Sequence, residues 1–435
     1  MATEVAVVYS ASGVQTFYST YAAARSAASA NDLIQIWADL SDEQILLKDG
    51  VDIWVAPGRI IKNSQDMPLI LDNDGSYTSA VNVNITGNGI FRNYIKGYSC
   101  VTLVNSDSKV SIQCDILEGG ETDPAYSDLA TVHIENASEF HLTCNKISNT
   151  NQRAIYFENE VGDININTGT IENGEAEDGD VITIKGTGFL NANEVICNNN
   201  GSCLVHKAGT LTANILKLTT MDNEIETTAV VRVSSGTESQ VLTLYFDEIQ
   251  NLSSETGNAV DQLEGVMNLI GRRIYSAKGL SMDLRANANI LADEIISVEK
   301  GIFIANAGNQ KTIIDSNYIE GSNGNYGVIY SWSGAHYSLK NAKIVNTSTS
   351  SDSVCIYLQE GEQDDQTIEI ENLILVTGNS EDGETIFRAG DTYNSIVNLL
   401  LFVNKVIDQD KVVLLVGTGL IIGENYKYIY SSDVS

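Results

Sequence analysis

The chain has 435 residues, of which 43% are hydrophobic and only three are proline, so it can bury a large core and is not a proline-rich disordered linker. Its 57 acidic and 25 basic residues give a formal net charge of −32. Because that charge repels phosphate backbones and anionic membrane surfaces, nucleic acid is excluded as a partner.

The first predicted segment covers residues 1–31. Its opening, MATEVAVVYS, lacks a basic region followed by an apolar stretch of about 7 to 15 residues, so it does not have the pattern of a standard secretory signal. The Ala-rich stretch that follows has high helix propensity and leads into the alternating strand DLIQIW. We therefore predict an N-terminal strand and a short helix that caps one end of the following domain.

Residues 32–435 are predicted to form one long repeat domain. After the strand DLIQIW come two strands in EQILLKDGVDIWVAPGRIIKN, residues 43–63, which are joined by the turn pair Asp49–Gly50. Further along the chain an apolar anchor residue returns at a mean spacing of about 25, because nine steps cover 228 residues. The anchors are Ile116, Ile147, Ile171, Val195, Ile215, Ile249, Ile274, Ile295, Ile319 and Ile344.

Each repeat carries two further signals. The position two residues after most anchors is rich in Asn and small residues, which indicates a left-handed turn that ends a strand. Its members are Glu118, Asn149, Asn173, Cys197, Asn251, Ser276, Ser297, Gly321 and Asn346. An earlier segment alternates apolar and polar residues, as in AIYFEN at residues 154–159 and GIFIAN at residues 301–306, which predicts a short half-buried strand.

The irregular spacing of the anchors, from 20 to 34 residues, decides the architecture. α-Solenoids and β-propellers hold periods of about 34 residues or more, whereas a coil of short parallel strands tolerates insertions in its turns. We therefore predict 12 to 14 turns around a buried ladder of Ile, Val and Leu. The apolar run at residues 412–423 is too short to cross a membrane as a helix and is predicted to belong to a C-terminal cap, residues 412–435.

The Ala-rich helix, the stretch QILLKDGVDIWVAPG and the successive GIFIAN and DEIQN segments resemble the pectin-lyase-like superfamily. The resemblance covers nearly the whole chain and implies an all-β fold, a right-handed single-stranded parallel β-helix. Members include pectate and pectin lyases, polygalacturonases, pectin methylesterases, and tail spikes and fibres of bacterial viruses. The resemblance therefore implies either an enzyme acting on polysaccharides or a structural and receptor-binding protein.

No complete catalytic motif accompanies the repeat. Asp364–Asp365 is a carboxylate pair without the Gly-His-Gly and Arg-Ile-Lys motifs of polygalacturonase-like enzymes, and is interpreted as a solvated turn. The acidic turns at residues 72–75 and 176–180 do not complete a calcium loop. The four histidines and six cysteines show no catalytic or zinc-binding spacing, so we predict no catalytic residue, metal or cofactor.

One predicted surface feature points to a ligand. In several early strands an aromatic residue follows an inward Ile, so alternation directs the aromatic ring outward. We predict that these rings, with Trp332 nearby, bind a carbohydrate or a protein partner. A one-residue change in register would instead bury them as an internal stack. The predicted binding residues are Phe303, Tyr330, Trp332, Tyr357 and Phe387.

Taken with the resemblance, these features favour a structural or glycan-recognition β-helix, a virion component such as a phage fibre or spike. A polysaccharide lyase or glycoside hydrolase is the alternative, and a bacterial surface adhesin is a further one. The expected partners are cell-surface glycans or other virion proteins, with no nucleic acid and no membrane insertion. The resemblance also implies a homotrimer. The expected location is the virion or the extracellular space, after synthesis in the cytosol without a standard signal peptide.

Overall fold

The chain folds as an all-β parallel β-solenoid of about 11 turns with about 2% helix, as a computed structural model shows. This confirms the predicted fold class. The structure describes side chains or backbone in the following ranges: 5–63, 66–72, 79–95, 97–119, 130–150, 153–174, 179–199, 201–221, 229–234, 240–254, 256–306, 308–323, 327–332, 334–349, 354–358, 366–371, 374–377, 387–389, 397–402 and 405–407. The predicted C-terminal cap, residues 412–435, and Asp364–Asp365 lie outside them.

The chain divides into two units, residues 1–215 and 216–435. Unit 1 contains one helix, α1 (Tyr21–Ala27), and the following strands: β1 (Ala6–Tyr9), β2 (Gln15–Tyr18), β3 (Leu33–Ile36), β4 (Leu40–Ser41), β5 (Ile45–Leu46), β6 (Asp52–Val55), β7 (Ile60–Asn63), β8 (Ile70–Leu71), β9 (Asn82–Gly87), β10 (Ile90–Asn93), β11 (Val101–Leu103), β12 (Lys109–Gln113), β13 (Ile116–Gly119), β14 (Ala130–Ile134), β15 (Glu139–Asn149), β16 (Arg153–Phe157), β17 (Val161–Glu172), β18 (Ile182–Cys197) and β19 (Leu204–Ala208).

Strand β20 (Thr210–Thr220) begins in unit 1 and ends in unit 2. The remaining strands of unit 2 are β21 (Ala229–Val233), β22 (Val241–Asn251), β23 (Asn258–Gln262), β24 (Val266–Ser276), β25 (Met282–Leu284), β26 (Asn287–Ser297), β27 (Ile302–Ile304), β28 (Thr312–Gly321), β29 (Ile329–Ser331), β30 (His336–Lys340), β31 (Lys343–Asn346), β32 (Ile356–Leu358), β33 (Gln366–Glu371), β34 (Ile374–Thr377), β35 (Phe387–Ala389), β36 (Val397–Phe402) and β37 (Lys405–Ile407).

Unit 1 begins with a small antiparallel arrangement. Strand β1 pairs antiparallel with β2 on one side and with β3 on the other, and β3 then pairs parallel with β6. Helix α1 follows β2, and the Thr20 hydroxyl caps it by accepting a hydrogen bond from the Ala23 N–H at 3.2 Å. The helix lies inside the predicted helical stretch, and its role as an end cap stays a prediction.

In the long strands of both units, the alternation of buried and exposed side chains is interrupted once. In β22 the buried side chains are at Leu242, Leu244 and Phe246, and then at Ile249. Two consecutive residues between them, Asp247 and Glu248, therefore both face outward. Each long strand thus supplies two stretches of inward residues to one turn.

The predicted ladder of apolar anchors is confirmed in unit 2. Ile249 pairs with Ile274, and the register continues through Ile295 and Ile319 to Ile344, all fully buried. In unit 1, Ile147, Ile171 and Val195 stack in the same way.

The first anchor was placed wrongly by one residue. Ile116 pairs with Lys146, whereas its neighbour Leu117 pairs with Ile147 and is fully buried. Leu117 therefore fills the anchor position in this turn, and Ile116 is partly exposed. Because the register moves by one, Gly119 rather than Glu118 stands in line with Asn149.

The residues two positions after the anchors do end their strands, but not in the predicted left-handed conformation. Outside glycine, the described residues with positive φ are Asn31, Asp42 and Asn341. Asn149, Asn251 and Asn346 are instead buried, at 3% exposure or less. The Asn251 side chain accepts the Ser253 N–H at 3.0 Å and donates to the Asn258 carbonyl at 3.1 Å. The side-chain amide, not a left-handed backbone, holds the loop to the strand end.

The number of turns, about 11, is below the predicted 12 to 14. The mean anchor spacing of about 25 residues was taken from residues 116–344, and it does not allow for longer turns elsewhere. Strands β7, β10 and β13 show the difference, because Ile61 pairs with Phe91 and Phe91 with Leu117, 30 and 26 residues apart. The six cysteines are all buried and form no disulfide.

Candidate carbohydrate-binding site

The candidate site lies on the short strands of unit 2 that precede each long strand. Strands β21, β23, β25, β27, β29, β32 and β35 pair in parallel and in register. In β27 the flanking residues Ile302 and Ile304 are fully buried, whereas Phe303 between them is partly exposed. Alternation therefore turns the central residue of each short strand outward. Those residues are Arg232, Asp261, Asp283, Phe303, Tyr330 and Tyr357.

Three consecutive aromatic rings, Phe303, Tyr330 and Tyr357, form what we call the aromatic column. The Phe303 and Tyr330 ring centroids are 5.1 Å apart at an interplanar angle of 25°, and those of Tyr330 and Tyr357 are 5.6 Å apart at 41°. All three side chains are partly exposed rather than buried. Because the rings stack on one another, much of each face is covered by its neighbour and the ring edges point outward.

Trp332 lies beside this column, one residue after β29. Its side chain is 47% exposed, and its ring stands edge to face against Phe303 at 6.3 Å and 85°. The perpendicular arrangement supports the indole from one side. Trp332 therefore presents more exposed aromatic surface than the three stacked rings do.

The predicted alignment of Phe387 with this column was wrong by one residue. Phe387 is in register with Ile356, and Arg388 is in register with Tyr357. The prediction paired Phe387 with an inward Ile386, but the sheet places Phe387 itself at the position of the buried Ile356. The residue after Tyr357 in the outward row is thus Arg388, whose side chain lies outside the described part of the chain.

Two charged side chains border the column at Phe303. The Arg285 guanidinium donates two hydrogen bonds, both 2.9 Å long, to the two carboxylate oxygens of Asp283. The same guanidinium carbon lies 5.8 Å from the centre of the Phe303 ring. Since a bidentate pair fixes both planes, the site has an ordered polar edge next to an aromatic surface.

Asp261, one turn further from the column, is partly buried, whereas Asp283 is buried with 7% exposure. Burial raises the pKa of the Asp261 carboxyl to about 6, and the neighbouring Asp283 charge adds to the rise. The hydrogen bond from Asn258 Nδ2 at 2.7 Å, with Arg232 and Arg285, opposes it. The site therefore contains one carboxyl group that changes its charge near neutral pH.

Sequence reasoning missed Asp261, Asp283 and Arg285. A signal was present, because VDQ at residues 260–262 and MDL at residues 282–284 occupy the same strand position as IFI and IYS. Aligning all early strands, and not only those with aromatic residues, would have placed both aspartates in the outward row.

Other polar groups singled out in the sequence hold the backbone in place. The Asp72 carboxylate accepts the N–H groups of Val104 and Asn105, at 2.8 and 3.1 Å. Asp180 accepts the Ser202 N–H at 3.0 Å, while residues 175–178 lie outside the described part. His206 bonds the Gly209 carbonyl at 3.1 Å. Across the described ranges, no three His, Cys, Asp or Glu side chains form a group that could hold a metal ion.

Comparison of the chain with protein-family models, with curated proteins and with solved structures gives no match. Within the described part of the chain, no helix has both the length and the apolar character that crossing a membrane requires.

Proposed function

We propose that the protein is a carbohydrate-recognition β-solenoid whose ligand binds beside the aromatic column of unit 2. The observation that carries the proposal is the half-exposed Trp332 indole, supported edge-on by Phe303 next to the fixed Arg285–Asp283 pair. Sugar rings pack their C–H faces on aromatic surfaces and direct their hydroxyls to charged or amide groups at the rim. Trp332 supplies the first kind of contact and the Arg285–Asp283 pair the second.

The stacked rings take a supporting role in this proposal. Phe303 and Tyr330 cover each other's faces, so they hold Trp332 in position and offer their edges to the ligand. This arrangement is rigid before binding, because the column is built on paired strands. A preformed site spends little free energy on ordering side chains when the sugar binds.

We further propose that this carbohydrate-binding protein is a virion fibre or spike of the pectin-lyase-like type that recognises a cell-surface glycan. The parallel solenoid and the outward aromatic column support it. A bacterial surface adhesin would use the same site. Immunogold labelling with an antibody to the chain tells the two apart, since the first requires label on virus particles and the second on cell envelopes.

Replacement of Trp332 by alanine is expected to weaken glycan binding at least about tenfold, roughly 1.4 kcal/mol, because it removes the exposed stacking surface. The full chain is first screened on a glycan array, and the affinity for the best ligand is then measured by titration calorimetry. Tyr245→Ala is the matched control, since Tyr245 is 44% exposed in the same unit but lies on β22, away from the site.

Equal affinities of the Trp332→Ala and wild-type proteins would remove the site from the proposal. Absence of glycan binding by the wild-type chain would remove the proposal itself. Circular dichroism of each variant separates a loss of binding from a loss of folding.

Cleavage of the bound glycan is a second candidate, which the Asp261 carboxyl favours. A carboxyl group with a pKa of about 6 is partly protonated near neutral pH and can donate a proton to a glycosidic oxygen, with the neighbouring Asp283 carboxylate stabilising positive charge on the sugar. Against cleavage, both Asp283 oxygens already accept hydrogen bonds from Arg285. Recognition without cleavage is therefore the preferred function.

If cleavage occurs, Asp261→Asn is expected to reduce it at least about 100-fold while leaving glycan affinity within about threefold, because asparagine keeps the shape but cannot donate that proton. Release of reducing ends from the best array ligand reports hydrolysis, and absorbance of an unsaturated uronate reports a lyase. Wild-type protein that binds the ligand and releases neither product would dismiss this candidate.

A further inference from the structure

Strand β2 is an open edge of the N-terminal sheet in unit 1. Among the described residues it pairs with β1 only, and Gln15, Thr16 and Phe17 are all exposed. The N–H groups of Ser10 and Val5 donate to the carbonyls of Val14 and Tyr18. Since bonding alternates along an antiparallel pair, the backbone groups of Gln15 and Phe17 point away from β1.

The outer face of this sheet continues the open edge with aromatic surface. Phe17 stands opposite Val7, which is buried at 5% exposure, and the same row of residues continues through Gln35 to Trp54. Trp37 packs on Trp54 with ring centroids 4.8 Å apart. Phe17 is 53% exposed and Trp37 49%, so the edge and the face beside it expose apolar surface together.

The sequence of this edge lacks lysine and proline, two of the residues by which proteins protect exposed strands. Strand β2 reads QTFY; at four residues it is a short edge strand, which limits edge pairing without blocking it. Moreover, the 20 residues 5–24 contain no acidic, basic or histidine side chain. In a chain with a formal charge of −32, a second copy that approaches this stretch meets no charge from the stretch itself. The two carboxylates that contact it, Asp32 and Glu43, accept the N–H groups of Ala11 and Tyr21.

We propose that two copies of this chain associate through β2, antiparallel to each other about a two-fold axis at Thr16. In that register Gln15 of each copy lies opposite Phe17 of the other, and their outward N–H and C=O groups exchange hydrogen bonds. The interface is isologous, so one strand is complementary to itself. Phe17 and Trp37 lie on one face of the extended sheet, and the second copy partly covers their exposed surfaces.

Light scattering after size-exclusion chromatography of the full chain tests the proposal. Wild-type protein is expected to pass from 47.0 kDa towards twice that mass as its concentration rises. Phe17→Lys is expected to weaken association at least about tenfold, since it places a charge and removes an aromatic ring at the centre of the interface. The matched control is Phe189→Lys, because Phe189 is 56% exposed in the same unit but lies within the long strand β18.

Hydrogen exchange gives a second measurement that does not depend on molecular mass. The Gln15 and Phe17 amides are expected to exchange slowly at high protein concentration, and quickly on dilution or in Phe17→Lys. A monomer at every concentration would overturn the proposal. A trimer, or a dimer that Phe17→Lys leaves unchanged and whose β2 amides exchange quickly, would also overturn it and would point to another face.

Discussion

Replacement of Asn346 by alanine is expected to lower the free energy of unfolding by about 3 to 4 kcal/mol. The Asn346 side chain is fully buried, donates to the carbonyls of Val354 and Asn323 at 2.7 and 3.0 Å, and accepts the Ser348 N–H at 3.0 Å. The bond to the Val354 carbonyl is buried and the other two are partly buried, and each lost bond costs about 1 kcal/mol or more. Chemical denaturation followed by circular dichroism measures the change.

Two variants give this prediction its controls. Asn346→Asp keeps an acceptor for Ser348 but turns an oxygen towards the two carbonyls, so we expect a loss at least as large at neutral pH. Asn317→Ala removes an exposed amide that donates to Asp293 at 3.1 Å, and should change stability by less than about 0.5 kcal/mol. An Asn346→Ala protein within 1 kcal/mol of wild type, roughly one hydrogen bond, would mean that the buried amides are not what holds the loops.

The anchor ladder was predictable because its signal survives changes in loop length. Ile147 and Ile249 each follow a polar pair and precede two polar residues, so alternation leaves one choice of inward residue. The prediction failed at Ile116 because the neighbouring residue Leu117 is also apolar. Where two neighbours are both apolar, alternation alone does not determine which of them points inward.

The same ambiguity explains the error at Phe387. Ile386 and Phe387 are adjacent apolar residues, and hydrogen bonding between β32 and β35, not residue type, places Phe387 in line with Ile356. The outward positions of Phe303 and Tyr330 were predicted correctly, and each lies between an inward Ile and another buried residue. Sequence therefore predicted the aromatic column through Tyr357 and failed at Phe387, which itself takes the register position of the inward Ile356.

The strand-end asparagines show a different limit. Asparagine suits a left-handed turn, as Asn341 shows with φ of 58°, and it also suits a buried amide that bonds a loop, as Asn346 shows. Asn341 directly follows β30 and Asn346 ends β31, so position along the chain does not distinguish the two roles. Only the burial of the side chain separates them, and burial depends on the neighbouring turns.

Ionisation of Asp261 is expected to destabilise the folded protein by up to about 3 kcal/mol above pH 6. Burial raises the pKa of this carboxyl from its ordinary 3.8 to about 6, and each pKa unit corresponds to about 1.4 kcal/mol. Since the pKa is higher in the folded state, folding favours the protonated group. The stabilisation is fully present below about pH 4 and is lost as the pH rises through 6.

Asp261→Asn isolates this effect, because asparagine imitates the protonated carboxyl and keeps an acceptor for Asn258. The variant should match wild type at about pH 4 and exceed its stability by up to about 3 kcal/mol at about pH 8, as urea denaturation would show. Asp247→Asn is the matched control in the same unit. The Arg272 hydrogen bond lowers the pKa of the exposed Asp247, so its stabilisation is lost only as the pH falls below about 4.

The difference between wild type and Asp247→Asn should therefore stay constant from about pH 5 to 8, whereas the Asp261→Asn difference grows from about pH 4 and levels off above about pH 7. A constant difference for Asp261→Asn would contradict the raised pKa and would show that Arg232 and Arg285 compensate the burial of the carboxylate. In that case Asp261 is charged across the whole range from about pH 5 to 8. It could then accept hydrogen bonds from a bound sugar, but it could not donate a proton to one.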